Sequence, residues 1–163
     1  MRNIKGFTLI ELLLYMGLFS VLLIPLMQLF GSTIAVRLES EATSAVSQDG
    51  GYILTRLTND IHDDSAIITP PLGSSGTSLH IIGDNNYTYE LDGDNNLTLT
   101  DNGTGEKNAL NSANTTVSNL NFKTLGNAGG KNTVRVNLVV KSKVIRQGGI
   151  NQTKSFTTTI GTR

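Results

Sequence analysis

The sequence predicts an α+β chain: a long N-terminal helix, transmembrane and then amphipathic, packed on an antiparallel β-sheet. Three observations carry this expectation. Residues 7–31 are an apolar run holding a single carboxylate, Glu11. Beyond it, Ile34, Leu38, Ala42, Val46, Ile53, Leu57 and Ile61 recur at steps of four or seven, which keeps them on one slowly drifting helical face. From residue 79 onward, short β-rich runs alternate with clusters of Asn, Asp and Gly.

The apolar run comes first in the chain. As a helix, its 25 residues extend roughly 37 Å, more than a hydrocarbon core of about 30 Å requires. Arg2 and Lys5 precede it and no basic residue follows until Arg37, so the positive-inside bias predicts an N-in, C-out single pass. An ordinary secretory signal has a shorter apolar region followed by a small-residue cleavage site. Here the small residue, Gly6, stands before the run.

Composition narrows the rest. The 163 residues suit one anchor and one modest domain. Thirteen Lys and Arg balance thirteen Asp and Glu, so bulk charge gives no nucleic-acid footprint and leaves nucleic-acid binding open only as a local property. The absence of cysteine removes disulfides, thiolate catalysis and cysteine-ligated metals.

The order of basic leader, Gly6 and then Phe7-Thr8-Leu9-Ile10-Glu11, continuing through Leu14, resembles the class III signal of type IV prepilins and pseudopilins. That resemblance implies cleavage by a prepilin peptidase between Gly6 and Phe7, N-methylation of Phe7, and retention of the apolar helix as a filament core. It also implies that Glu11 is an assembly residue, paired with the Phe7 amine of an adjacent subunit. The physics agrees, since a carboxylate at a membrane helix centre costs about 2.5–3.5 kcal/mol unless a cation offsets it. The implied partners are the peptidase, other pilins or pseudopilins in a helical filament, and an inner-membrane assembly platform. Pro25 should kink the helix, about one turn before the place where major pilins commonly carry a proline. Thr8 and Ser20 read as hydroxyls bonding back to helix carbonyls. The competing reading is a plain signal anchor in which Gly6 is accidental.

The expected organisation is a leader at 1–6, a transmembrane helix at 7–31, its amphipathic continuation at 32–65 and an exported β domain at 66–163. Gly50-Gly51 either breaks the helix or lets the sheet approach closely. His62-Asp63-Asp64 reads as a solvated helix end rather than a metal site, because no second ligand cluster accompanies it. Pro70, Pro71 and residues 73–76 mark a loop. Strands are expected at 79–82, 87–91, 97–100, 117–122, 134–140 and 156–160, with hairpins across 92–96 and across Gly148-Gly149.

Asp92, Asp94 and Asn96 have the alternating spacing with which loops present oxygen to calcium, but the distal bidentate glutamate is missing, so turn chemistry is the reading and calcium the alternative. No other cofactor is suggested. His62 and His80 are the only histidines, and no nucleophile elbow or phosphate-cradling loop is present, so no catalytic set emerges. The layout, with "LTNDIHDD", "VSNLNF", "VRVNLVV" and "FTTTIGTR", is similar to minor pilins and minor pseudopilins of the J or W type. The expected function is therefore a minor structural subunit of a type IV pilus, competence pilus or type II secretion pseudopilus. A filament-tip binding module for a surface, DNA or secreted substrate is the alternative.

Overall fold

The computed structural model describes residues 7–63, 66–127, 130–146 and 148–162. Gly6, Asp64 and Arg163 lie outside the described residues. The chain divides into two units, Met1–Arg37 and Leu38–Arg163.

One helix, α1 (Leu9–Asp63), runs through both units, with Pro25 inside it. In the first unit its apolar side chains are exposed throughout, from Phe7 to Phe30. In the second unit α1 buries Ala42, Val46, Gly50, Ile53, Leu57, Asp60 and Ile61, the face predicted from the spacing. Three departures stand out on that face. Ile34 is exposed, Leu38 is only half-buried, and a charged residue, Asp60, joins the buried set. Gly50-Gly51 does not break the helix, which is continuous across both glycines.

Among the described residues, nine strands follow: β1 (Ala66–Thr69), β2 (Ser75–Gly76), β3 (Leu79–Ile82), β4 (Asn86–Leu91), β5 (Leu97–Asp101), β6 (Lys107–Ala109), β7 (Thr115–Leu125), β8 (Thr133–Ile145) and β9 (Asn151–Gly161). They form two antiparallel sheets, in the orders β1-β3-β4-β5-β6 and β2-β7-β8-β9, where the sequence suggested one. The three extra strands are short. β2 and β6 lie within segments rich in Gly, Ser and Asn that read as loops, and pairing with longer neighbours overrides that local composition.

Both expected hairpins form. In the first, β4 pairs with β5 across a turn in which Asn95 takes a φ of 61°, a left-handed conformation that asparagine tolerates. In the second, β8 pairs with β9 across Gly148 and Gly149, both at positive φ. Burial alternates along β8 and along β7 on either side of a bulge between Ser118 and Asn121 that shifts its phase, so Val117, Phe122, Val134, Val136, Leu138 and Val140 point to one side and meet Val46, Ile53, Leu57 and Ile61 of α1 in a single core. Leu79, Ile81, Tyr89 and Leu97 of the five-stranded sheet complete that core.

Candidate assembly and processing site

Phe7 and Glu11 lie at the start of α1. Thr8 precedes the first helical residue. Its backbone N–H and its hydroxyl donate to Glu11 Oε2 at 3.2 and 3.1 Å, and the Glu11 N–H donates to Thr8 Oγ1 at 3.4 Å. This is a reciprocal capping box, in which residues N-cap and N3 satisfy each other's orphan donors at a helix terminus. Thr8 is therefore a cap and not a hydroxyl bonding back to a carbonyl. Ser20 does bond back, to the Met16 carbonyl at 2.8 Å, and Thr33 does the same to Leu29 at 2.9 Å. Phe7 stacks edge-on against Tyr15, with ring centroids 6.2 Å apart. A carboxylate three residues from the cap also complements the positive end of the helix dipole.

Around this terminus, α1 presents apolar side chains on every side. Its mean hydropathy reaches 2.3 over an eighteen-residue window, none of which is buried, and it is long and apolar enough to cross a membrane. A helix hydrophobic all round is stable only where lipid or other apolar helices surround it.

Elsewhere, the proposed oxygen ligands are engaged within their own turn. Asp92 Oδ1 accepts the backbone N–H groups of Asp94 and Asn96, at 2.9 and 2.7 Å, and its Oδ2 accepts the Asn96 side chain at 2.9 Å. Asn96 Oδ1 in turn accepts from Asn111 at 3.1 Å. The Asn96 side chain, then its N–H, hold the Asp92 carboxyl below its usual value. Among the described residues, no group of three or more His, Asp or Glu is arranged to hold a metal.

Three polar features escaped the sequence reading. The Tyr89 hydroxyl donates to Asp60 Oδ2, which also accepts from Arg56 Nε at 2.7 Å. Burial, reinforced by Asp60, pushes the Tyr89 hydroxyl well above the usual tyrosine range. Asp49 Oδ2 accepts the Ser112 N–H and hydroxyl, at 2.9 and 2.7 Å, together with the Thr115 hydroxyl, pinning α1 to the segment ahead of β7. The third is charge segregation. No Asp or Glu follows Glu106, whereas nine of the thirteen Lys and Arg do, so β7, β8 and β9 carry only positive charge. A count confined to the whole chain hides this asymmetry.

The N-terminal part of α1 is thus a capped, exposed apolar segment of the kind that anchors a chain in a membrane by a single pass. Residues 1–27 match the family model of the prokaryotic N-terminal methylation motif. The match takes in Arg2, Lys5, Gly6, Phe7, Glu11 and most of the apolar run. No curated protein and no solved structure matches the chain.

Proposed function

We propose that the protein is a minor pilin or minor pseudopilin, cut between Gly6 and Phe7 by a prepilin peptidase and N-methylated at Phe7. The motif at residues 1–27 is the observation that carries this reading. In it, the chain waits in the cytoplasmic membrane, N-terminus inside and domain outside, and then joins a periplasmic or surface filament through residues 7–31. Glu11 supplies the assembly charge. In the single chain its carboxylate is held by Thr8, and in the filament it meets the Phe7 amine of a neighbour, a cation that methylation leaves protonated. Residues 32–65 and 66–163 form the part that contacts neighbouring subunits outside the membrane.

The test is mass spectrometry of the intact protein and of its N-terminal peptide, from native membranes, beside Gly6→Ala. The expected result is a chain beginning at methylated Phe7, with processing lost in the variant. A chain beginning at Met1 in both would reduce the segment to a plain anchor.

A further inference from the structure

The β8–β9 hairpin ends in a tip that soluble proteins usually avoid. Ile145 and Ile150 flank the Gly148-Gly149 turn and are 62% and 66% exposed. On β8, Lys141 and Lys143 share the outward face with Ile145, and among the described residues neither lysine side chain has a hydrogen-bond or ion-pair partner. The carboxylate at the tip is Glu39, which is consumed by Arg146: Nη1 of that arginine donates to Glu39 Oε1 at 2.5 Å, and its Nε donates to the Ile150 carbonyl at 3.4 Å.

This ion pair also fixes where the tip is tethered. Glu39 is the second residue of its unit and lies nine positions after Phe30 of the apolar run. Even fully extended, that length of chain reaches only about 32 Å. A tether of that length lets the tip reach the surface of a bilayer that the run crosses. Branched apolar side chains at a tip, with unpaired cations behind them and the Glu39 carboxylate already paired, are the chemistry of an element that enters a headgroup layer. The apolar groups partition inward while the lysines stay with the phosphates. An acidic protein partner would account for the lysines but not for two isoleucines projecting at a tethered tip.

We propose that the β8–β9 tip, through Ile145, Ile150, Lys141 and Lys143, docks on the anionic headgroup surface of the membrane that the chain's own helix crosses. The proposal rests on the membrane-anchored reading. Docking would hold the domain against the membrane while the subunit waits, and extraction into a filament would have to release it.

Because the chain contains no cysteine, a single label can report this. The full-length protein bearing Ile150→Cys, tagged with an environment-sensitive fluorophore, is reconstituted into phosphatidylcholine vesicles with and without phosphatidylglycerol, and a headgroup-level lipid quencher is added. The same label at Asp94→Cys is the control. The expected result is a blue-shifted, quenchable label at position 150 only with phosphatidylglycerol, a wet label at position 94, and an approximately fivefold fall in the docked-to-free ratio for each of Lys141→Gln and Lys143→Gln. A floated chain with a wet label at position 150 in both lipids overturns the docking alone. A label that dries with increasing protein density and without regard to lipid charge also overturns it, in favour of contact between copies. A chain that does not float with the vesicles overturns the anchoring and the docking together.

Discussion

Gly50 of α1 and Phe156 of β9 meet so closely that a β-carbon on Gly50 would overlap the phenyl ring. The glycine is there for the sheet, not for flexibility of the helix. Gly50→Ala gains about 1 kcal/mol of helix propensity but forces the ring out of its place, an overpacking cost of about 1–3 kcal/mol. The net expectation is a lower melting temperature. Gly51→Ala, beside it and facing open space, should raise stability by about 1 kcal/mol. Thermal unfolding of the two variants separates the roles, and equal shifts would refute the assignment.

The Tyr89–Asp60 bond predicts an alkaline weakness. Burial, then Asp60, keeps the proton on Tyr89 in the folded chain, whereas the unfolded chain releases it near the usual value of 10.0. Above that pH the folded state binds more protons than the unfolded one, so stability falls as pH rises, by up to about 1.4 kcal/mol per pH unit from this residue. Tyr89→Phe should lose about 1 kcal/mol at neutral pH and show a shallower decline above pH 10 in denaturant titrations. At the acid end the sign reverses. Asp92, held down by Asn96, and Asp101, held down by the Gly103 N–H, contribute stability that is present above the ordinary carboxylate value of 3.8 and lost as pH falls.

Asp49 gathers three donors on one oxygen. Asp49→Ala leaves the Ser112 N–H and two hydroxyls to find water, at an expected cost of about 1–3 kcal/mol. Hydrogen exchange should accelerate at residues 112–117 and on the facing turn of α1. Unchanged protection there would mean that the segment is held by its strand pairing alone.

At the N-terminus, glutamine separates capping from charge. Glu11→Gln keeps a side chain able to complete the box with Thr8 but removes the negative charge. The expected outcome is normal cleavage and helix protection with filament incorporation lost, measured by mass spectrometry of membranes and of sheared filaments. Thr8→Ala should instead loosen the first helical turn by about 1 kcal/mol, read by hydrogen exchange in detergent. Retained incorporation of Glu11→Gln would remove the assembly role argued for that residue.

How much was legible in the sequence follows from how local each signal is. The stripe from Ala42 to Ile61 and the two hairpins depend on neighbours within a turn or a loop, and both were readable. The split into two sheets was not, because β2 is two residues long and exists only by pairing Ser75 with Lys123 and Gly76 with Phe122. Asp60 on the buried face could not be foreseen either, since its acceptability depends on Tyr89, 29 residues away. Gly50 was ambiguous for the same reason: its partner ring lies on the last strand. The Thr8–Glu11 box, in contrast, has a sequence signature, T-x-x-E, hidden here by a second meaning for the same residues.

The seating of Phe156 on Gly50 also orders events in time. More than a hundred residues separate the two, so in a chain made from its N-terminus the apolar stripe of α1 exists long before the strand that finishes covering it. Contacts of such high sequence separation form late and slowly. The interval between the making of Ile61 and the making of β9 is therefore the window in which a nascent chain is most exposed to misassociation and proteolysis, and its length is set by the rate of chain elongation rather than by the stability of the finished fold.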